Sequence, residues 1–178
     1  MEMLSKLFGP LLHFAWVRRV RRNHALEHAT IHVLARYKGR LAVAGRSSLG
    51  GFALYGDVET ALVEKAAAEA LDRLRRGEAS LAVHPNCGTN LLVTGSMASM
   101  AGIAAMLGSE RAGWRQRLER LPMAMMLGVF AVFFSRPIGI GLQRFFTTDG
   151  DVGGLHIVEI EQRRRGPILA HFVHTRGG

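Results

Sequence analysis

Hydrophobic and polar positions alternate in two different ways along this chain, and the change falls near residue 88. From Asn23 the apolar residues Ala25, Leu26, Ala29, Ile31, Val33 and Leu34 recur at helical spacing until Gly39, with Asn23 placed to cap the first turn. Leu41 to Ala44 and Phe52 to Tyr55 are short apolar runs around the glycine-rich stretch Gly45 to Gly51, the pattern of two strands and a turn. Asp57 is placed to cap a second helix reaching about Arg76 through Val58, Ala61, Leu62, Ala66, Ala70 and Leu74. Ser80 to Val83 reads as a further strand, ended by Pro85 and the turn Asn86-Cys87-Gly88.

Beyond that point the polar face disappears. Leu91 to Leu107 carries no charge, and a polar, arginine-rich loop over 109–121 leads to Pro122. A second apolar run, Met123 to Ser135, continues past Arg136-Pro137 into Leu142. Both runs approach the length that crosses a bilayer, so a transmembrane helical hairpin is expected. The tail then offers Leu155 to Ile160, a basic turn at Arg163 to Arg165, and Ile168 to Val173, a β hairpin able to complete the sheet of the first half. The expected class is α+β: a small helix/strand unit, a transmembrane hairpin and a short C-terminal β segment. In numbers this gives a basic anchor over 1–22, an α+β unit over 23–88, two membrane helices over 89–143 and the β hairpin over 144–178.

Composition adjusts this picture in three places. The 178 residues carry 23 Lys and Arg against 14 Asp and Glu, a formal charge of +9. The basic run Arg18, Arg19, Arg21 and Arg22 interleaves with Val20 rather than aromatics, so it points to anionic headgroups and not to nucleic acid. Leu4, Leu7, Phe8, Leu11, Leu12 and Trp16 precede it and suit an interfacial anchor; Pro10, His13 and the lack of a small-residue cleavage site do not suit a secretory signal. The single Cys87 excludes an intrachain disulfide and a four-cysteine zinc site. Basic residues and the thiol together favour the soluble unit facing the cytosol. Gly95, Ser99 and Gly102 leave a small-residue helix face on which copies of the chain can associate.

The chemistry concentrates in His24-Ala25-Leu26-Glu27-His28. On a helix, His24 and His28 share a face and can hold one ion, while Glu27 lies close enough to take a proton from water without being a ligand. This His-x-x-Glu-His order is the inverted arrangement of a zinc hydrolase, and Zn2+ is the expected cofactor. A third ligand is needed. Cys87 is preferred and His84 follows it, both in the turn after the expected strand; Glu59, Glu64 and Glu69 are carboxylate alternatives on the second helix. Asn86 and Asn90 are candidate donors to a developing oxyanion, and His32, one turn beyond His28, is expected to line the pocket. The bland counterparts are an inert buried thiol for Cys87 and a strand-end hydrogen bonder for His84.

Four stretches together resemble a family of uncharacterised bacterial integral-membrane proteins known mainly from photosynthetic bacteria as a domain of unknown function. They are Asn23-His24-Ala25-Leu26-Glu27-His28-Ala29-Thr30-Ile31-His32, Gly51-Phe52 with Tyr55-Gly56, His84-Pro85-Asn86-Cys87-Gly88-Thr89-Asn90, and Ser135-Arg136-Pro137. The resemblance implies the membrane architecture and no activity. Locally the histidine motif is also similar to that of pitrilysin-type metallopeptidases, which implies zinc on His24 and His28, Glu27 as base, and a glutamate of the next helix as third ligand. S-ribosylhomocysteine lyase shares such a helix with a downstream cysteine, but its second catalytic cysteine has no counterpart here. The function expected is a membrane-associated zinc hydrolase, a metallopeptidase acting on a peptide or membrane-protein substrate. The alternative is a non-catalytic membrane protein whose structural metal or cofactor site assists assembly of a larger complex.

Overall fold

The computed structural model describes residues 2–3, 9–39, 42–108, 113–165 and 168–178. Leu4, Leu7, Phe8, Leu41 and Arg111 therefore lie outside the described residues. The chain forms two compact units, one of residues 1–84 with 143–178 and one of residues 85–142.

In the first unit, helix α1 (Ala15–Lys38) is the central element. It begins eight residues before the expected cap, because Ala15 to Arg22 is rich in good helix formers. Asn23 is thus an interior residue, fully buried, and its side chain joins other elements instead of capping. Its Nδ2 donates to the Ser48 carbonyl at 2.8 Å and its Oδ1 accepts from Thr175 Oγ1 at 2.7 Å. From Arg22 to Thr30 every residue is buried except the half-buried His24, so this part of the helix is covered on nearly all sides rather than along one stripe. Gly39, at φ 72°, ends the helix by donating to Ala35 O at 2.9 Å, a backbone shape that favours glycine.

Strands β1 (Ala44–Ser48) and β2 (Gly51–Tyr55) form an antiparallel hairpin that pairs Ala44 with Tyr55 and Ser48 with Gly51. Helix α2 (Thr60–Arg75) follows. Glu59, not Asp57, occupies its cap position, and Val58 is buried in the core just before it. The tail supplies β3 (His156–Arg165) and β4 (Ile168–Arg176), and β4 pairs with β2 to give a four-stranded open sheet in the order β1-β2-β4-β3. Arg163 to Arg165, expected as a turn, are the last residues of β3, whose register with β4 shifts once between Ile157 and Glu159. The core joins α1 to α2 and the sheet through Leu26, Leu34, Phe52, Val63, Leu155 and Val173.

The strand expected over Ser80 to Val83 is a 3-10 turn, Ala79–Ala82. Its polar backbone groups go to side chains and not to a neighbouring strand: Ala82 O to His28, Val83 O to His32, and His84 N to Gln143. The arginines of α1 have comparable roles. Arg19 donates to Thr175 O at 2.9 Å, Arg21 to Thr148 O at 2.9 Å and Phe145 O at 3.3 Å, and Arg22 pairs with Asp151 at 3.4 Å. Three of the four cations expected at headgroups thus bind the fold's own carbonyls and carboxylates.

The second unit contains α3 (Gly88–Met106) and α4 (Leu121–Leu142), with a short helix Trp114–Glu119 between them. Helix α3 and the stretch Trp114–Thr147 are each long and apolar enough to cross a membrane, and few of their side chains are buried. Leu91 and Phe133, for instance, are 71% and 74% exposed. The two helices meet through small and polar groups. Thr94 and Ser135 share a hydrogen bond of 2.7 Å, and Asn90 lies where a side chain at Gly139 would stand. Gly95 and Gly102 have open space where a Cβ would be, so the small-residue face does not serve this pairing.

Candidate metal centre

Helical spacing sets His24, His28 and His32 along one side of α1, and the 3-10 turn brings His84 against them. Ring centroids are 4.3 Å apart for His24 and His28, 5.8 Å for His28 and His84, and 4.9 Å for His32 and His84. Each ring of the helix is oriented by a backbone carbonyl. His24 Nδ1 lies 2.9 Å from Thr147 O, His28 Nδ1 2.7 Å from Ala82 O, and His32 Nε2 2.9 Å from Val83 O. A carbonyl only accepts, so each of those ring nitrogens carries the hydrogen. In the neutral tautomer that this fixes, His24 and His28 present Nε2 as a lone pair. This is how ligating imidazoles are held in metalloproteins.

His24 and His28 belong to the first unit and Cys87 to the second, where it precedes α3. Cys87 follows His84 by three residues, so the chain itself keeps the thiol near the histidines. Its Sγ accepts from Thr89 N at 3.4 Å at the start of α3. His84 belongs to the same unit as the three histidines of α1. Burial, with His32 and His28 adding to it, lowers its pKa to about 4, so its ring is neutral at physiological pH.

The carboxylates expected as alternative ligands lie elsewhere. Glu59 and Glu64 are exposed. Glu69 accepts from the Tyr37 hydroxyl at 2.5 Å and pairs with Arg36 and Arg73, each at 3.6 Å. Glu27, by contrast, is 4% exposed and adjoins His28 on the helix. The Ser47 hydroxyl of β1 donates to its Oε2, and its carboxyl fills the space that a side chain at Gly45 would take. Burial raises its pKa, while the Ser47 bond and the neighbouring His24 hold it down. Asn86 is exposed, and Asn90 is buried with its amide donating to Pro85 O at 2.6 Å.

Three contributors had no signal in the residue pattern: Gly45, Ser47 and Gln143. Gly45 and Ser47 read as parts of a glycine-rich turn, and only the hairpin's placement on α1 brings them to Glu27. Gln143 lies at the end of an apolar run, yet it is fully buried with Oε1 accepting from His84 N at 2.9 Å.

A histidine-bearing helix laid across an open sheet, joined to two long apolar helices, defines the class to which this chain is assigned. The chain belongs to the family described as Domain of unknown function (DUF6391), which matches residues 19–160 and so includes His24, Glu27, His28, His84 and Cys87. It is similar to an uncharacterised protein of the photosynthetic bacterium Picosynechococcus sp., 43% identical over 98 residues, covering 49% of this chain and 48% of that protein. The match thus spans about half the length of that relative. No solved structure matches the chain.

Proposed function

We propose that this protein is a membrane-bound, zinc-dependent hydrolase of peptide or amide bonds, with its first unit on the cytoplasmic side of a bacterial inner membrane. The observation that carries this reading is the pair of Nδ1–H bonds that aim the Nε2 lone pairs of His24 and His28, with the buried Glu27 carboxyl between them in sequence. His24, His28 and Cys87 would hold the ion, leaving its fourth position for chemistry. Zinc held there supplies Lewis acidity to a carbonyl oxygen and acidifies the attacking water. Glu27 takes the proton as the water oxygen bonds to the carbonyl carbon, and returns it to the leaving nitrogen as the C–N bond breaks. Ser47 keeps Glu27 Oε2 in place during both transfers. The two apolar helices support the membrane placement.

A structural site is the second reading, favoured by His84, whose neutral ring stands 5.8 Å from His28. As a fourth ligand it would close the shell and leave no position for a substrate. Metal analysis and peptide turnover by the detergent-purified chain separate the two. The hydrolase reading expects one zinc per chain, lost in His24→Ala and in Cys87→Ala. It also expects Glu27→Gln to keep the metal while turnover of a mixed peptide library falls about 100-fold or more. Full turnover in Glu27→Gln, or no zinc in the wild type, would end that reading.

A further inference from the structure

The turn Gln143–Thr147, which follows α4 and belongs to the first unit, is a π turn, a backbone form concentrated at functional sites. Two polar atoms in it are buried without a hydrogen-bond partner among the described residues: Gln143 Nε2 and Thr147 Oγ1. They are four residues apart in the turn, so their side chains leave it in similar directions. Gln143 is 0% exposed, and the rest of its polar capacity is used. Oε1 accepts from His84 N at 2.9 Å, and the main-chain oxygen accepts from Thr148 N and Oγ1, each at 2.9 Å. Because the His84 N–H must meet an acceptor, the orientation of the amide is settled and its NH2 is the group left over. A buried amide donor with no acceptor is costly to keep, and native folds retain one where a water, an ion or a ligand completes it or where it has a catalytic role.

The same turn is tied to the histidines at two points. Thr147 O accepts from His24 Nδ1, and Gln143 Oε1 holds the backbone of His84. Both unpaired atoms therefore belong to the segment that positions the metal-facing rings. We propose that Gln143 Nε2, with Thr147 Oγ1 beside it, donates to an oxygen ligand at the His24–His28 centre, namely the carbonyl oxygen of an acyl substrate. The proposal deepens the hydrolase reading and rests on it. When the water oxygen bonds to the carbonyl carbon, the π electrons of the C=O bond move onto that oxygen, where the two donors hold the charge. They return as the C–N bond breaks and the double bond re-forms.

The test uses the full chain, zinc-loaded in detergent, with acetohydroxamate as a carbonyl-oxygen probe followed by calorimetry. Gln143→Met removes the donor, Gln143→Glu removes it while keeping an acceptor for His84 N, and Thr147→Val removes the hydroxyl at constant shape. Zinc per chain is expected to stay at the wild-type level in all three. The probe should bind at least tenfold more weakly to both Gln143 variants and about threefold more weakly to Thr147→Val. Loss in Gln143→Met but not in Gln143→Glu would make Gln143 a strut for His84 and overturn the donor role. Wild-type binding in the Gln143 variants, or a zinc-loaded wild type that ignores the probe, would also overturn it. A wild type that takes up no zinc fails the hydrolase reading itself, and the donor role with it. Should Gln143→Met not fold, Gln143→Glu and Thr147→Val carry the same comparison.

Discussion

Gly45 stands on β1 opposite Leu54, and a Cβ built there would overlap the Oε1, Cδ and Cγ atoms of Glu27. In Gly45→Ala, either Glu27 swings away or β1 lifts from α1. The first outcome breaks the Ser47 bond to a buried carboxyl, worth about 1.5–3 kcal/mol for a hydrogen bond to a charged group. The second is overpacking, with a cost of about 1–3 kcal/mol. Both routes give a loss near 2 kcal/mol, or about 4–8 °C in Tm for a chain of this size. The atoms nearest the new methyl group all belong to Glu27 and none to His24 or His28, so zinc content should hold. Peptide turnover should nevertheless fall about 100-fold, since a base displaced by about 1 Å is enough for that. Thermal or denaturant unfolding of Gly45→Ala, Glu27→Ala and the double variant is the assay, because removing the Glu27 side chain makes room for the methyl. In the Glu27→Ala background the added cost of Gly45→Ala should shrink to below about 0.5 kcal/mol, a coupling of about 1.5 kcal/mol. An equal cost in both backgrounds would refute the close approach of β1 to Glu27.

Other perturbations read other parts of the fold. Asn23→Leu removes a bond to Ser48 O and one from Thr175 Oγ1, leaving the buried Thr175 hydroxyl unpaired; denaturant unfolding should show a loss of about 1–3 kcal/mol, and a loss below about 0.5 would deny Asn23 its joining role. His171 is buried on β4 with Nε2 at 3.0 Å from Thr60 Oγ1, and burial lowers its pKa. The fold therefore prefers the neutral ring, so its contribution is complete above the unfolded value near 6.5 and drains as pH falls below that toward the lowered folded value. Melting temperatures from pH 8 to pH 5 should fall less steeply in His171→Gln than in the wild type, and parallel profiles would contradict this. In the second unit, Thr94→Val deletes the bond to Ser135; its cost in detergent unfolding should be about 0.6 kcal/mol, within the range for hydrogen bonds between apolar helices, and a cost above about 2 kcal/mol would mean that this contact organises the pair.

The legibility of the chain follows the range of the interactions involved. Helical periodicity from Ala25 to Leu34 and from Ala61 to Leu74 is local, and α1 and α2 both lie where it pointed, although their starts moved to Ala15 and Thr60. Starts move because a cap is one residue's hydrogen bond, which tertiary packing readily overrides: Asn23 spends its amide on Ser48 and Thr175. Ser80 to Val83 shows the same rule from the other side. Its apolar residues suit a strand, but a strand needs a neighbour, and here histidine and glutamine side chains take the backbone groups.

Spacing along one helix was sufficient to set the His24 and His28 rings side by side, since 3.6 residues per turn is a property of the backbone alone. The length and apolarity of the two later runs were likewise written in residue order. Which carbonyls orient each imidazole, which hydroxyl holds Glu27, and why residue 45 is glycine arise only when β1, the 3-10 turn and the turn after α4 close around α1. Those contacts join positions 20 to 123 residues apart, and no local pattern encodes them.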